Sequence, residues 1–239
     1  MTYARLDYPA EKLAIIGRDK IVMESNTEIE RAMRISACEK EPWTVDFIES
    51  FSEGECLWDI GACVGSYTLL AAARKLEVVA FEPVSENYAT LVRNLAINEM
   101  LASVLTIPLA LGDQDALIWQ HRSDMRSGAA SHQLSGSGTK RALHQQLIPL
   151  IRADTARVLW GLATPHGIKI DVDGFEPQVL VGAETLLQEP QLRAILIELQ
   201  TANDAALIAW LKERGWTIEE QYPERGGIYY AKLTRTSQP

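Results

Sequence analysis

Short apolar runs alternate along this chain with stretches in which apolar residues recur every three or four positions. Residues 56–60 read as a buried strand, 66–74 as an Ala- and Leu-rich helix and 77–81 as a second strand. Val84, Tyr88, Leu91 and Leu95 then recur at helical spacing, which predicts a helix buried along one face. A third strand is predicted over 104–111, closed by Gly112-Asp113. Further on, 167–174 predicts a strand, ended by Asp171, that runs into a turn. Val179, Leu180, Ala183, Leu186 and Leu187 mark a helix, 194–199 a buried strand, and 203–214 a helix ended by Gly215. Residues 216–222 and 228–233, split by Pro223-Glu224-Arg225-Gly226-Gly227, predict an antiparallel hairpin. Such alternation implies parallel strands joined by right-handed crossovers, an α/β doubly wound sheet.

Two stretches break the rhythm. Residues 1–51 are mixed, with Asn26 or Thr27 placed to cap a helix through Ile29, Met33 and Cys38 that Pro42 ends or offsets. They are expected to form an N-terminal helical extension or cap on a domain spanning 52–239. In the middle, 117–121 and 147–151 predict short strands, and 123–146 between them is polar and rich in Ser and Gly. A connection this long without apolar pattern predicts a flexible flap at about 121–147 over a site, or a variable surface loop.

Composition narrows the partners. The 239 residues are 47% hydrophobic and 23% charged, enough for a real core. A net charge of −9 argues against gripping nucleic acid by its phosphates. Cys38, Cys56 and Cys63 form no metal-like pair, and their odd number suits a reduced, cytoplasmic setting. No signal peptide and no membrane-length apolar run is visible in the sequence.

The chemistry lies where the first two strands end. Asp59 precedes Gly61 by two residues, Gly65 follows, and Glu82 ends the second strand. A dinucleotide fingerprint would run Gly-x-Gly-x-x-Gly with its acid only on the second strand. The shifted pattern points to S-adenosylmethionine. Asp59 is expected to accept from the cofactor's amino group, and Gly61, Ala62 and Gly65 to let the backbone approach it. The helix from Ser66 is expected to offer N–H groups to its carboxylate. Glu82, followed by Pro83, suits the paired ribose hydroxyls, with a helix-capping acid as the structural alternative. Leu109, Ala110 and Leu111 would flank the adenine, with Asp113 reaching its amine.

These residues also carry a resemblance. The sequence from about Trp58 to Trp216 resembles the FkbM-type family of S-adenosylmethionine-dependent methyltransferases. The match rests on Asp59-Ile60-Gly61-Ala62-x-x-Gly65 and on Phe81-Glu82-Pro83 with Asn87, Asn94 and Asn98. It continues through residues 169–176 (Lys-Ile-Asp-Val-Asp-Gly-Phe-Glu) and Val179-Leu180-x-Gly182-Ala183 to Ile197-Glu198. Cys63 stands where the family usually carries Asn. The resemblance implies a Rossmann-like, mostly parallel seven-stranded sheet with a C-terminal antiparallel hairpin, and O-methylation of a hydroxyl on a sugar, polyketide or other secondary metabolite. Transfer to nitrogen and a catalytically silent cofactor-binding partner protein are the alternatives. No nucleic acid or membrane is expected as partner, and a homo-oligomer stays open.

At the reacting end, Asp171 closes the strand expected beside that of Asp59, and Glu198 closes the next. In one reading Asp171 orients or deprotonates the acceptor hydroxyl while Glu198 binds a neighbouring hydroxyl. In the other, less favoured reading the two acids hold a divalent cation that chelates a diol; no third ligand spacing supports it. Lys169 alternates onto the same face as Asp171. Glu176 and Pro177 fit an ordinary helix start. His166 falls at the far end of its strand, His121, His132 and His144 are expected to be exposed, and Trp43 belongs to the core or lines the substrate mouth.

Overall fold

The computed structural model describes residues 13–16, 21–130, 133–136, 142–200, 204–223 and 225–235. It begins with a hairpin that the sequence reading does not contain, β1 (Leu13–Ile16) paired antiparallel with β2 (Ile21–Glu24). The single helix expected through Ile29, Met33 and Cys38 is broken into pieces. Its start is a capping box: the Glu30 N–H donates to Thr27 Oγ1 at 3.0 Å and the Thr27 N–H to Glu30 Oε2 at 2.8 Å. The chain then widens into a π-helical turn, Glu30–Arg34, before α1 (Ala37–Lys40) and α2 (Pro42–Glu49). Pro42 offsets the helix by starting α2, where its missing N–H leaves no bond unmade.

The next elements follow the prediction: β3 (Cys56–Ile60), α3 (Ser66–Ala73), β4 (Glu77–Phe81) and α4 (Ser85–Ile97). The strand expected over 104–111 is instead two, β5 (Val104–Ile107) and β6 (Ala110–Leu111). Pro108, with no N–H to give a ladder, separates them, and β6 leaves the main sheet to join β7 (Ala116–Arg122), β8 (Gln133–Ser135) and β9 (His144–Ile151) in a second one, ordered β6-β9-β7-β8. The two ends of the expected flap and residues 133–135 within it are therefore sheet. β7 and β9 pair from Ala116 opposite Leu150 to Arg122 opposite His144. Ile118, Ile148 and Leu150 bury one face of that hairpin with Ala110, and the strands expected at 117–121 and 147–151 form its core. Residues 131–132 and 137–141 of the expected flap lie outside the described residues.

An unpredicted helix, α5 (Ala153–Trp160), leads to β10 (Gly167–Ile170) and α6 (Glu176–Gly182). After them come β11 (Ala194–Gln200), α7 (Asp204–Glu213) and the C-terminal hairpin of β12 (Trp216–Pro223) and β13 (Ile228–Arg235). The main sheet has seven strands in the order β12-β13-β11-β10-β3-β4-β5. Neighbours are parallel from β11 to β5, and β13 runs antiparallel to both β11 and β12. This is the doubly wound sheet with a terminal hairpin that the sequence implied. Alternation sends Trp58, Ile60 and Ile197 into the layer on one face and Leu57, Ala80 and Leu196 into the other. Among the described residues no helix is long and apolar enough to cross a membrane.

Three asparagines of α4 fasten the rest to this frame. Asn94 Oδ1 accepts the Glu24 N–H at 2.8 Å while its Nδ2 donates to Val64 O at 2.8 Å. Asn98 takes the Val22 N–H at 2.9 Å and gives Nδ2 to Val22 O at 2.7 Å. Asn87 does the same for residues 128–129, accepting the Gly128 N–H at 2.8 Å and donating to Ala129 O at 3.0 Å. A carboxamide offers a donor and an acceptor together and so stands in for a missing backbone partner; a carboxylate lacks the donor. The N-terminal segment and the middle segment are thereby held against the ends of β3 and β4.

Candidate functional site

The strands β3, β4 and β10 end at a cleft of about 720 Å³, part of it open to solvent. Gly61, Glu82, Pro83, Ala110, Leu111 and Asp171 border it, as the sequence predicted, and so do Leu109 and Asp173. The second sheet and the segment before β8 close it from above through Gln120, Ala129, Ala130 and Leu134. Asp113 is exposed and does not border it.

The glycines serve the loop's own packing. Gly61 has φ +88°, and a Cβ there would stand 1.9 Å from Asp171 O; at Gly65, φ +95°, it would stand 2.5 Å from Leu91 Cδ1. Both positions demand glycine because the β10 turn and α4 press on the loop. Ala62 and Gly65 are buried behind the cleft wall rather than on it. Cys63 also adopts a left-handed backbone, φ +51°. Among residues with a side chain, Asn tolerates that region best, so conformation accounts for the asparagine usual at this position.

Glu82 joins the loop to α4. Its Oε2 accepts the Cys63 N–H at 2.8 Å and its Oε1 the Val84 N–H at 2.7 Å. The side chain is thus the helix-capping acid as well as a group on the cleft wall. Burial pushes its carboxyl up to about 7 despite the two N–H bonds, which favour the charged form.

Asp59 does not border the cleft. It is 1% exposed beneath the loop, accepts from Thr68 Oγ1 at 2.5 Å, and has Lys169 Nζ 3.9 Å away. Burial holds its pKa above the ordinary range, against the pull of Lys169 and Thr68. Lys169 lies beside Asp59 in the parallel register and donates to Asp171 Oδ2 at 3.0 Å. Tyr230 OH, from β13, donates to the same oxygen at 3.0 Å. Burial would raise Asp171, but Lys169, with Arg34 and Tyr230 adding to it, holds this carboxyl below its usual value. Lys169 is the charge that lets two acids share a nearly dry site.

Glu198 lies one register step beyond the Ile170–Ile197 pair, in line with Asp171, and opposite Tyr230. It borders a separate hollow of about 380 Å³ with Gly174, Glu176 and Asp204. Burial first, and then Asp171, Glu176 and Asp173, drive its carboxyl up to about 8. Glu176 proves structural: its Oε1 accepts the Val172 and Gly174 N–H groups at 3.1 Å each and closes the turn. Among the described residues no group of three or more His, Cys, Asp and Glu is placed to hold a metal ion.

Of the histidines, His166 accepts the Cys56 N–H at Nδ1, 3.0 Å, at the far end of the sheet. His121 corrects the expectation of exposure: it is 6% exposed and shares a 2.7 Å hydrogen bond with Ser135. His144 is exposed, and His132 lies outside the described residues. Trp43 is half-buried, stacked on Tyr222 at 5.4 Å and tilted against Tyr230 at 5.9 Å.

Three residues at the site had no sequence signal. Tyr230 looked like one more apolar position of a hairpin strand. Gln120, inside the short strand expected at 117–121, is 1% exposed and borders the cleft, and among the described residues its Oε1 has no hydrogen-bond partner. Arg34 borders the cleft from the end of the π-helical turn, a geometry no hydrophobic period marks.

Residues 59–217 match the family model described as the methyltransferase FkbM domain. A hexuronic acid methyltransferase of Haloferax volcanii, AglP, is 24% identical over 157 residues, 66% of this chain and 61% of that protein. The chain's match therefore spans less than two thirds of its curated relative. Among solved structures, the precorrin-6y C5,15-methyltransferase of Geobacter metallireducens superposes with a TM-score of 0.51 at 11% identity, covering 95% of both chains. An rRNA methylase of Streptococcus thermophilus gives 0.50 at 12% identity, over 82% of this chain and 95% of its own. At such identities these likenesses show the fold alone.

The walls suit S-adenosylmethionine. Apolar Leu109, Ala110 and Leu111 suit a purine, the buried Glu82 carboxylate suits a diol, and the acids at the β10 end suit a sulfonium. Gln120 Oε1, without a hydrogen-bond partner among the described residues, is a buried acceptor suited to a ligand N–H.

Proposed function

We propose, for a chain that belongs to the FkbM methyltransferase family, that this S-adenosylmethionine-dependent methyltransferase methylates a hydroxyl oxygen of a small carbohydrate-like acceptor. When bound, the cofactor supplies a methyl on sulfonium sulfur; the acceptor oxygen forms the new C–O bond as the C–S bond breaks, its electron pair staying on sulfur. Glu82 binds the ribose hydroxyls and Asp171 accepts the hydrogen bond that aims the acceptor. The hydroxyl proton passes to Glu198, which stands in line with Asp171 on the next strand and borders the separate hollow.

The observation that carries this reading is the divergence of two carboxyls in line on adjacent strands. Asp171 is held below its usual range by Lys169, whereas Glu198 is pushed up to about 8. A pair driven apart in this way separates an ionised orienting group from a base. The ion pair thus favours the orienting role expected of Asp171 over the deprotonating one. A carbohydrate acceptor draws support from the hexuronic acid methyltransferase relative and from the Tyr230 ring beside Asp171, on which Trp43 packs. Nucleic acid is a poor partner for a chain of net charge −9.

The test is methyl transfer from isotopically labelled cofactor to a panel of hexoses, hexuronic acids and amines. The expected product is a methyl ether, which survives mild base. A base-labile methyl ester or an N-methyl amine would overturn the hydroxyl assignment. Cofactor binding with no transfer to any acceptor would favour a silent binding protein.

A further inference from the structure

The glycine loop spends its donors on itself. The Gly61 and Ala62 N–H groups both donate to Phe81 O at 3.0 Å, and the Gly65 N–H to Ala62 O at 2.9 Å. The Cys63 N–H is bound by Glu82 at 2.8 Å. Ser66, Tyr67 and Thr68, whose amides begin α3, are buried, and none borders the cleft. The helix N-terminus expected to receive the cofactor's carboxylate is therefore covered, and a carboxylate entering this cleft needs another counter-charge.

Among the described residues, the charged groups on the cleft wall are Glu82, Asp171, Asp173 and one cation, Arg34. Arg34 is held at two points. Its backbone oxygen accepts from Ser66 Oγ at 2.9 Å, and its Nε donates to Gly128 O at 2.9 Å. These bonds bolt it to the start of α3 on one side and to the segment clamped by Asn87 on the other. Among the described residues neither Nη group donates a hydrogen bond, and no carboxylate stands within 4.0 Å of the guanidinium. The fork is thus positioned, bordered by acids at a distance, and unused. A planar pair of free N–H donors matches the two oxygens of a carboxylate.

We propose that Arg34 is the carboxylate-binding residue of the cleft. The inference rests on cofactor binding in this cleft, and it names a contact that the glycine loop was expected to make. Two carboxylates have the required chemistry: the methionyl end of S-adenosylmethionine and the acid group of a uronate acceptor. The acids around Arg34 face the positive charges that accompany the first, the ammonium and the sulfonium.

The experiment compares the full-length wild type with Arg34→Ala and Arg34→Lys. Calorimetry measures binding of S-adenosylmethionine and of its decarboxylated analogue, and steady-state kinetics measure KM for a hexuronic acid and for the matching neutral hexose. If the cofactor supplies the carboxylate, Arg34→Ala weakens S-adenosylmethionine roughly tenfold to a hundredfold and leaves the decarboxylated analogue unchanged. If the acceptor supplies it, cofactor affinity holds and KM rises by a similar factor for the uronate only. Arg34→Lys, which keeps a charge but loses the fork, falls between; it carries the test if the alanine variant does not fold. Equal binding of all ligands by wild type and both variants overturns the role of Arg34 alone. A wild type that binds no S-adenosylmethionine overturns the cleft assignment and this contact with it.

Discussion

Lys169 and Asp171 stand on the same face of the chain, two residues apart, and the lysine Nζ donates to Asp171 Oδ2 at 3.0 Å while being 2% exposed. Asp59, on the neighbouring strand, has the same Nζ 3.9 Å away. A lone buried carboxylate in such a place would have to be neutralised. Here one cation serves two acids, and the carboxyl ends of β3 and β10 can both carry charge next to a cationic ligand.

Removing that cation should therefore be costly. Lys169→Met leaves Asp59 and Asp171 uncompensated, and stability should fall by about 3–5 kcal/mol. Urea unfolding measures it. Adding Asp59→Asn should recover part of the loss. A double variant no more stable than Lys169→Met would mean that Asp59 is not the acid Lys169 supports.

The asparagine clamps should depend on both ends of the amide. Asn94→Asp keeps the acceptor for the Glu24 N–H but sets a carboxylate oxygen against Val64 O, its side chain being fully buried. A loss of about 1–3 kcal/mol is expected in thermal or urea unfolding. A variant as stable as wild type would show that the hairpin and α4 are held by apolar packing instead.

Replacing Glu82 with Ala should weaken S-adenosylmethionine by about 1–3 kcal/mol, as loss of charged hydrogen bonds does. Because Glu82 also binds the Cys63 and Val84 N–H groups, the variant should melt earlier as well. Calorimetry on the folded variant separates the two effects. Unchanged affinity would remove Glu82 from the ribose.

Stability should also respond to pH in a defined direction. The folded carboxyls of Glu82 and Glu198 sit at about 7 and about 8, above their ordinary 4.5. Between 4.5 and those values the folded state binds more protons than the unfolded, so their contribution is full below about 4.5 and fades as pH rises through 7 to 8. The midpoint of unfolding of the ligand-free protein should be higher at pH 6 than at pH 8. Glu198→Gln should flatten part of that slope, and a slope identical in wild type and variant would show that Glu198 does not titrate there.

The parts of this fold that were legible in the sequence are those with a single strong period. The parallel strands of the main sheet are mostly apolar, and α4 repeats Leu91 and Leu95 on one face, so both declare themselves. Glu82, Gly61 and Asp171 were legible because strand ends and glycine turns fix where a site lies. What was hidden depends on long-range pairing. The strands at 117–121 and 147–151 are legible, but not their pairing, with Leu150 opposite Ala116, nor their extension to Arg122 and His144. Arg34 borders the cleft from the end of a π-helical turn that no sequence period marks, and the face Lys169 shares with Asp171 was legible while its place beside Asp59 was not.

The most direct measurement of the proposed chemistry sets cofactor affinity against turnover for Glu198→Gln and Asp171→Asn across pH 6 to 9. Wild-type kcat should rise with pH through about 8, as the Glu198 carboxylate forms. Glu198→Gln should bind S-adenosylmethionine like wild type, lose about a hundredfold or more in kcat, and lose that rise with pH. Asp171→Asn should also spare the cofactor while lowering turnover. A Glu198→Gln enzyme with full kcat and an unaltered pH profile, or an Asp171→Asn variant that loses cofactor and turnover in equal measure, would contradict the division of roles between these two acids.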